Sequence, residues 1–207
     1  MGSRTTISTI RHAETQYNFE QRYAGSLDIS LNDRGISTCK RASEKLTELE
    51  FAVDVVISST LRRTAETARL LLGEDAPVVK SKLCVERNYG IFEGMTHQDV
   101  HETLAPILWI QVGEHTHSVN PPGGEPFEKV WERAIKFRNW LFREYDGRNV
   151  LVVSHGTFLQ MFHGLIRGLS CIESLAYYPA NLELDTFTFE NKRLVAEKKI
   201  HLGSADS

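Results

Sequence analysis

The chain has 207 residues, of which 41% are hydrophobic and 25% are charged, and its formal net charge at pH 7 is −3. This length and composition predict one globular domain over residues 1–207 and exclude a disordered chain. The slightly acidic balance lacks the basic field that draws proteins to nucleic acid, so a small soluble molecule is the expected partner.

Cysteine usage and hydropathy indicate the compartment. Cys39, Cys84 and Cys171 lie far apart, which argues against a disulfide framework and against a cysteine-rich zinc site. No stretch approaches the roughly 20 apolar residues that a membrane-spanning helix needs, and the N-terminus lacks the apolar segment of a signal peptide. The sequence therefore predicts a cytoplasmic protein with no membrane partner.

The first predicted strand covers residues 5–10, is rich in β-branched side chains and ends at Arg11 and His12. The polar stretch at residues 14–32 is long enough for a functional loop. Either Ser30 or Asn32 can cap the amphipathic helix that follows, which reaches about residue 49.

A second β-branched strand is predicted at residues 53–59, and Ser58, Ser59 and Thr60 can each cap the helix at residues 61–72. A third, shorter strand is predicted at residues 77–85, with Glu86 at its end. Glycine and proline then interrupt the pattern, which predicts an irregular or helical insertion at about residues 88–125.

The remaining elements repeat the strand-to-helix order. A helix at 127–145, an apolar strand at 149–154, a helix at 158–169 and a hairpin at 182–189 and 194–200 complete the chain. This order predicts an α/β fold, a three-layer α/β/α sandwich with a mostly parallel central sheet and the insertion over the site.

Three predicted strand ends carry groups suited to phosphate chemistry: Arg11 with His12, Ser59 followed by Arg62 and Arg63, and His155. Parallel strands bring their carboxyl ends to one edge of a sheet. Arginine binds phosphate oxygens through its planar fork of donors, and a neutral imidazole is a nucleophile near pH 7. The pattern predicts phosphoryl transfer through a phosphohistidine.

Four ordered motifs extend this pattern over nearly the whole chain. They are R-H-A-E-T-x-x-N from Arg11, S-x-L-x-R-x-x-x-T-A from Ser59, E-R-x-Y-G-x-x-E-G from Glu86 and V-S-H-G from Val153. Together they make the chain resemble the histidine phosphatase superfamily, which contains the cofactor-dependent phosphoglycerate mutases and the fructose-2,6-bisphosphatases. The resemblance implies that His12 is the phosphorylated nucleophile, that Glu86 protonates the leaving oxygen, and that the phosphoryl group is surrounded by Arg11, Arg63 and His155.

The same resemblance implies contacts around this centre. Phosphate contacts are expected from Asn18 and from the backbone at Gly156 and Thr157. Substrate contacts are expected from Gln21 and Arg22 in the loop at residues 18–25 and, with them, from Gly25, Arg87 and Tyr89.

Phosphoryl transfer spreads charge over three oxygens, so we expect Arg11, Arg63 and a protonated His155 to form a cationic cage. His12 must be unprotonated on the attacking nitrogen, which its other ring nitrogen can secure by donating to a backbone carbonyl. Glu86 must hold a proton near neutral pH to act as an acid.

Water or a second substrate oxygen can accept the phosphoryl group. The mutases carry paired arginines in the insertion, whereas residues 103–126 here contain no Arg or Lys. Residues 118–126, S-V-N-P-P-G-G-E-P, are similar to the corresponding loop of the phosphatase branch. This favours a metal-independent phosphatase without a cofactor, acting on a sugar phosphate or a phosphoglycerate-like ester. A 2,3-bisphosphoglycerate-dependent mutase and a non-catalytic binding module are the alternatives, and a homodimer stays open.

The insertion raises two further expectations. Its apolar side chains predict either a wall or lid over the substrate or a satellite core cluster, and they are Leu104, Ile107, Leu108, Trp109, Ile110 and Val112. Its histidines lack the ligand spacing of a metal site and are expected at exposed loop positions, namely His97, His101, His115 and His117.

Overall fold

A computed structural model describes residues 3–103 and 107–203. The strands are β1 (Arg4–Arg11), β2 (Val55–Ser59), β3 (Val78–Ser81), β4 (Trp109–Val112), β5 (His115–Ser118), β6 (Asn149–Ser154), β7 (Glu183–Glu190) and β8 (Arg193–His201). The α-helices are α1 (Gln16–Phe19), α2 (Asp33–Glu48), α3 (Arg62–Leu72), α4 (His97–Thr103), α5 (Phe127–Glu144) and α6 (Gly156–Arg167).

Six strands form the central sheet in the order β3-β2-β6-β1-β7-β8. The first four are parallel, and β7 and β8 add an antiparallel hairpin beside β1. Helices cover the four parallel strands on both faces, which explains why those strands are rich in Val and Ile. The predicted α/β class, the mostly parallel sheet and the closing hairpin are confirmed.

The alternation of side chains along β6 shows the two faces of the sheet. Val150 and Val152 belong to a core cluster with α5 and α6, whereas Leu151 and Val153 belong to a second cluster with α2 and α3. Three rings fill the first cluster with centroid separations of 5.4 to 5.9 Å, namely Phe137, Phe158 and Phe162. Each buried ring contributes roughly 1.5–3 kcal/mol to folding, so the sheet is a firm base for its carboxyl edge.

Two local expectations need correction. The third strand ends at Ser81, and a 3₁₀ turn at Lys82–Cys84 follows, so Glu86 lies beyond the strand rather than at its end. The N-cap of α3 is Leu61 and not one of the three preceding hydroxyl residues. Ser59 turns its hydroxyl toward Thr64 and His155 instead, at 2.9 and 2.7 Å. The N-cap of α2 is Asn32, which was one of the two predicted candidates.

The insertion contains the helix α4, in agreement with the predicted helical insertion, and a two-stranded ribbon of β4 and β5, which glycine and proline spacing did not indicate. Ile110 and Val112 pack against the core cluster of α5 and α6, so for them the satellite-core alternative holds. Leu108 is 57% exposed, and Leu104 lies outside the described residues. Within residues 3–103 and 107–203, no helix has the length and apolar character to cross a membrane.

Candidate active site

A cavity of about 550 Å³ opens at the carboxyl edge of the parallel strands. Its floor includes Arg11, His12, Arg63 and Glu86. The neighbouring order of β2, β6 and β1 brings the three predicted strand ends together here, as ligand sites in open α/β sheets require.

His12 is held in one tautomer. Its Nδ1 lies 2.8 Å from the carbonyl oxygen of Ala13, and because a carbonyl can only accept, Nδ1 carries the proton and Nε2 is free of one. Burial, with the charges of Arg63 and Arg11, holds the pKa of His12 well below its usual 6.5. The ring is thus neutral, with the unprotonated nitrogen that an attack on phosphorus would need.

The two cage arginines are fixed by backbone carbonyls. Arg63 is fully buried and donates from Nη1 to Leu27 at 2.7 Å and from Nη2 to Gly25 at 2.8 Å. Arg11 donates from Nη1 to Pro179 at 3.0 Å. Arg62 is instead exposed and pairs with Glu66, so Arg63 is the one of the two that lines the cavity.

His155 is neutral rather than protonated, which corrects one expectation. Its Nδ1 accepts from Nε of Arg63 at 3.2 Å, and its Nε2 lies 2.7 Å from the hydroxyl of Ser59. Burial and the charge of Arg63 lower its pKa well below 6.5. Its ring lies 5.3 Å from that of His12, centroid to centroid, so His12 has a polar neighbour without charge.

Glu86 lies at the N-terminus of α6. Its Oε1 accepts from the backbone N–H groups of Arg87 and Phe158 at 2.8 and 3.3 Å, and its Oε2 accepts from that of Thr157 at 3.3 Å. Glu86 as a residue is 8% exposed and lines the cavity. Backbone donors therefore hold its carboxyl group at the cavity wall.

Arg133 of α5 holds the segment that carries Glu86. It donates to the carbonyl oxygens of Leu83 and Val85 at 2.8 and 3.0 Å and forms a two-point ion pair with Glu125, each contact 2.8 Å long. Sequence reasoning missed Arg133 because nothing in a helical repeat shows which loop a side chain reaches.

The segment at residues 18–25, which was expected to be a loop but begins within α1, also reaches the cavity. Asn18 accepts at Oδ1 from the backbone and hydroxyl of Thr15, which leaves its Nδ2 donors available on the cavity wall. Gln21 and Arg22 line the cavity, but Arg22 is already paired with Glu20 at 2.5 Å. Gly25 lines it too, at a φ of +49°.

Some expected contacts have other roles. The backbone N–H of Thr157 binds Glu86, and neither Thr157 nor Gly156 is among the residues that line the cavity, so the phosphate contacts expected from them stay a prediction. A Cβ at Gly156 would meet the Tyr178 hydroxyl at 2.1 Å, so glycine is needed for that close approach. Tyr89 lines the cavity, and its hydroxyl lies 2.7 Å from that of Thr157.

Arg87 lines the cavity but is committed to structure. Its guanidinium donates to the carbonyl oxygens of Ser118, Val119 and Glu125 at 2.8, 2.9 and 2.7 Å and stacks 3.7 Å from the ring of Phe127. It is 1% exposed. Arg87 therefore anchors the insertion, and its expected contact with substrate stays a prediction.

The four insertion histidines are not loop residues. His97 and His101 lie on α4 and are exposed, whereas His115 and His117 lie on β5 and are half-buried. All four line the cavity. In the part of the chain that the structure describes, no group of three or more His, Cys, Asp or Glu could hold a metal ion.

Sequence reasoning also missed several other cavity residues, among them Tyr23, Tyr178 and Asn181. Trp109, which was expected either in a wall over the substrate or in a satellite core cluster, lines the cavity. Asn181 donates from Nδ2 to the carbonyl oxygen of His12 at 2.6 Å. Tyr23, Tyr178 and Asn181 do not belong to the motifs quoted above, and only the tertiary fold brings them to the cavity.

The family model for the histidine phosphatase superfamily (branch 1) matches residues 7–199. A 2,3-bisphosphoglycerate-dependent phosphoglycerate mutase of Rhizobium etli is 30% identical over 182 residues, which cover 83% of this chain and 85% of the relative. Phosphoserine phosphatase 1 of Hydrogenobacter thermophilus is 28% identical over 200 residues, 94% of this chain and 92% of the relative. Among solved structures, the alpha-ribazole phosphatase from Shigella flexneri superposes with a TM-score of 0.77 at 25% identity, covering 91% of this chain and 93% of that one.

Proposed function

Because the chain belongs to the histidine phosphatase superfamily, we propose that it is a metal-independent phosphatase that hydrolyses small phosphate monoesters through a phosphohistidine at His12. The observation that carries the proposal is the state of His12. A buried imidazole with its proton on Nδ1, beside Arg11 and Arg63, is a nucleophile placed next to the cations that an attacked phosphoryl group needs.

In the first step, Nε2 of His12 forms a bond to phosphorus while the ester oxygen leaves. Arg11 and Arg63 are fixed by backbone carbonyls before substrate binds, so they stabilise the charge on the phosphoryl oxygens without reorganising. Glu86 gives a proton to the leaving oxygen, a contribution of roughly 10²- to 10⁴-fold for a positioned acid.

In the second step, water attacks the phosphohistidine and Glu86, now a carboxylate, takes its proton. The products are inorganic phosphate and the free alcohol, and His12 returns to its neutral tautomer. The arginines supply the positive charge, and so the proposal requires neither a metal nor another cofactor.

The charges around the cavity favour water over a second substrate as the acceptor. A mutase must also hold the carboxylate of a phosphoglycerate, but Arg22 is paired with Glu20 and Arg87 is committed to three carbonyl oxygens. Residues 103–126 add no Arg or Lys. A mutase is the second candidate, since the relative from Rhizobium etli carries that name.

The proposed substrate is a small soluble ester, either a sugar phosphate or a phosphoglycerate-like compound. The protein would act in the cytoplasm without a nucleic-acid or membrane partner, in keeping with its net charge of −3. A homodimer is compatible with this proposal but is not needed for it.

Phosphate release in EDTA tests the proposal, with p-nitrophenyl phosphate, ribose 5-phosphate and 3-phosphoglycerate as substrates. We expect release by the wild type and a loss of at least roughly 10³-fold in His12→Ala. Interconversion of phosphoglycerates that needs added 2,3-bisphosphoglycerate would support the mutase instead. Binding of phosphate esters with no turnover by either reaction would support a binding module.

A further inference from the structure

Aromatic and imidazole rings line the part of the cavity that the loop at 18–25 and the insertion contribute. One series of ring contacts runs from Tyr89 to Tyr23 and on to His97, with centroid distances of 4.8 and 4.5 Å. Backbone hydrogen bonds fix this wall, because Tyr23 donates to the carbonyl oxygen of Met95 at 3.0 Å and Gly94 donates to that of Tyr23 at 2.8 Å.

A second series of rings lies on the ribbon. His115 of β5 lies 6.4 Å from Tyr178 and 6.1 Å from His117, centroid to centroid. Trp109 of β4 stacks on His101 of α4 with centroids 4.1 Å apart and planes 8° apart, so α4 and the ribbon meet through two flat faces. All five rings line the same cavity as the first series.

Each arginine that lines this cavity already has partners within the described part of the protein. Among the described residues that line it, the Arg and Lys side chains are Arg11, Arg22, Arg63 and Arg87. The first and third belong to the phosphate cage, Arg22 is paired with Glu20, and Arg87 is buried in contacts to carbonyl oxygens.

Two further polar groups act in the same direction. Burial holds the pKa of the half-buried His117 below 6.5, so this imidazole is neutral at pH 7. Glu114 lines the cavity and would repel a substrate carboxylate, but it can accept a hydrogen bond from an N–H or O–H group. Flat rings with a few acceptors suit a flat, uncharged heterocycle.

We propose that the physiological ester carries an aromatic or heterocyclic ring, without a carboxylate, which stacks on Trp109 and Tyr23 while its phosphate lies at His12. This inference rests on the proposed phosphatase function and narrows its substrate class. Stacking of a base on an aromatic side chain changes affinity by roughly tenfold, so the ring would select among esters that share the same phosphate cage.

The first test compares adenosine 5′-monophosphate with ribose 5-phosphate, which differ by the base alone. Isothermal titration of the His12→Ala protein should show roughly tenfold tighter binding of the nucleotide. Trp109→Ala in that background should remove most of this difference and leave the affinity for ribose 5-phosphate within about twofold. Leu108→Ala is the matched control, since Leu108 precedes Trp109, is exposed and does not line the cavity.

The second test measures kcat/KM of the wild type. We expect kcat/KM to be higher for ring-bearing esters than for ribose 5-phosphate. It should be lowest for the carboxylated esters phosphoserine and 3-phosphoglycerate. A comparison of p-nitrophenyl phosphate with adenosine 5′-monophosphate shows whether the ring is attached directly or one sugar away.

Equal binding of nucleotide and ribose 5-phosphate, an equal effect of Trp109→Ala on both, or a preference for carboxylated esters would each overturn the inference. If phosphate release depends on His12 but is no faster for ring-bearing esters, the inferred substrate class is wrong and the proposed phosphatase function stands. If no ester is hydrolysed in a His12-dependent way, the proposed function fails with it.

Discussion

Nε of Arg63 donates to Nδ1 of His155 over 3.2 Å. The bond orients both side chains, and since Nδ1 acts as the acceptor, His155 carries its proton on Nε2, where Ser59 lies 2.7 Å away. The Arg63 guanidinium and the neutral His155 imidazole therefore hold each other in a fixed orientation beside His12.

Replacing Arg63 by lysine should lower kcat/KM by roughly 100-fold. Lysine keeps the charge, but its single ammonium group cannot donate at once to Nδ1 of His155 and to the carbonyl oxygens of Leu27 and Gly25. The measurement is p-nitrophenyl phosphate hydrolysis. Arg62→Lys on the same helix is the control, and a similar loss in both variants would contradict the assignment.

His12 should remain neutral below the pH at which free histidine is half protonated. Its pKa is lowered by burial and by Arg63 and Arg11, so the folded protein binds this proton less readily than the unfolded chain does. The stability that depends on it is complete above pH 6.5 and is lost as the pH falls. An NMR titration of the histidine rings, assigned with His12→Ala, should give a midpoint below 6.5; one above it would refute the electrostatic argument.

Arg133→Met should lower kcat by roughly tenfold to 100-fold, because the backbone that carries Glu86 loses its clamp. Its free energy of unfolding should also fall by about 2 kcal/mol, since Glu125 and two carbonyl oxygens lose their donor. Steady-state kinetics and urea unfolding measure the two effects. Arg143→Met on the same helix removes an exposed arginine paired with Glu144 and should change neither. A loss of stability with unchanged kcat would limit Arg133 to a structural role.

Asp185→Asn should stabilise the protein at pH 7, by about 1–3 kcal/mol. Burial and the charge of Glu183 raise the pKa of Asp185 from 3.8 to about 6, so its contribution to stability is present below pH 3.8 and is lost as the pH rises through about 6. The difference in unfolding free energy between variant and wild type should therefore grow over this range.

Asp146→Asn is the control for that experiment, because the pKa of Asp146 is shifted in the opposite direction. Hydrogen bonds from Thr5 and Ser3 lower the pKa of Asp146, so its carboxylate is stabilising at neutral pH and the amide should bring no gain. A gain in both variants would show that removal of any acid stabilises the chain.

The positions of His12, Arg63 and His155 could be predicted because each follows a strand that its β-branched residues identify. These strands are parallel, so their carboxyl ends lie at the same edge of the sheet. The ionisation of His155 could not, since it depends on a bond between side chains 92 residues apart. The ribbon of β4 and β5 could not be predicted from the sequence either. Its strands have four residues each, and the pattern of Trp109–Val112 and His115–Ser118 is too short to separate from a loop.

Arg87 binds the end of the ribbon through carbonyl oxygens alone. Every residue has a carbonyl group, so this anchor places little demand on which amino acids occupy positions 118, 119 and 125. The side chains that face the substrate can therefore diverge while the main chain stays in register with the catalytic floor. Such a division would let related enzymes acquire new substrates by exchanging a short surface segment, and it makes the ribbon the natural segment to graft when the enzyme is retargeted.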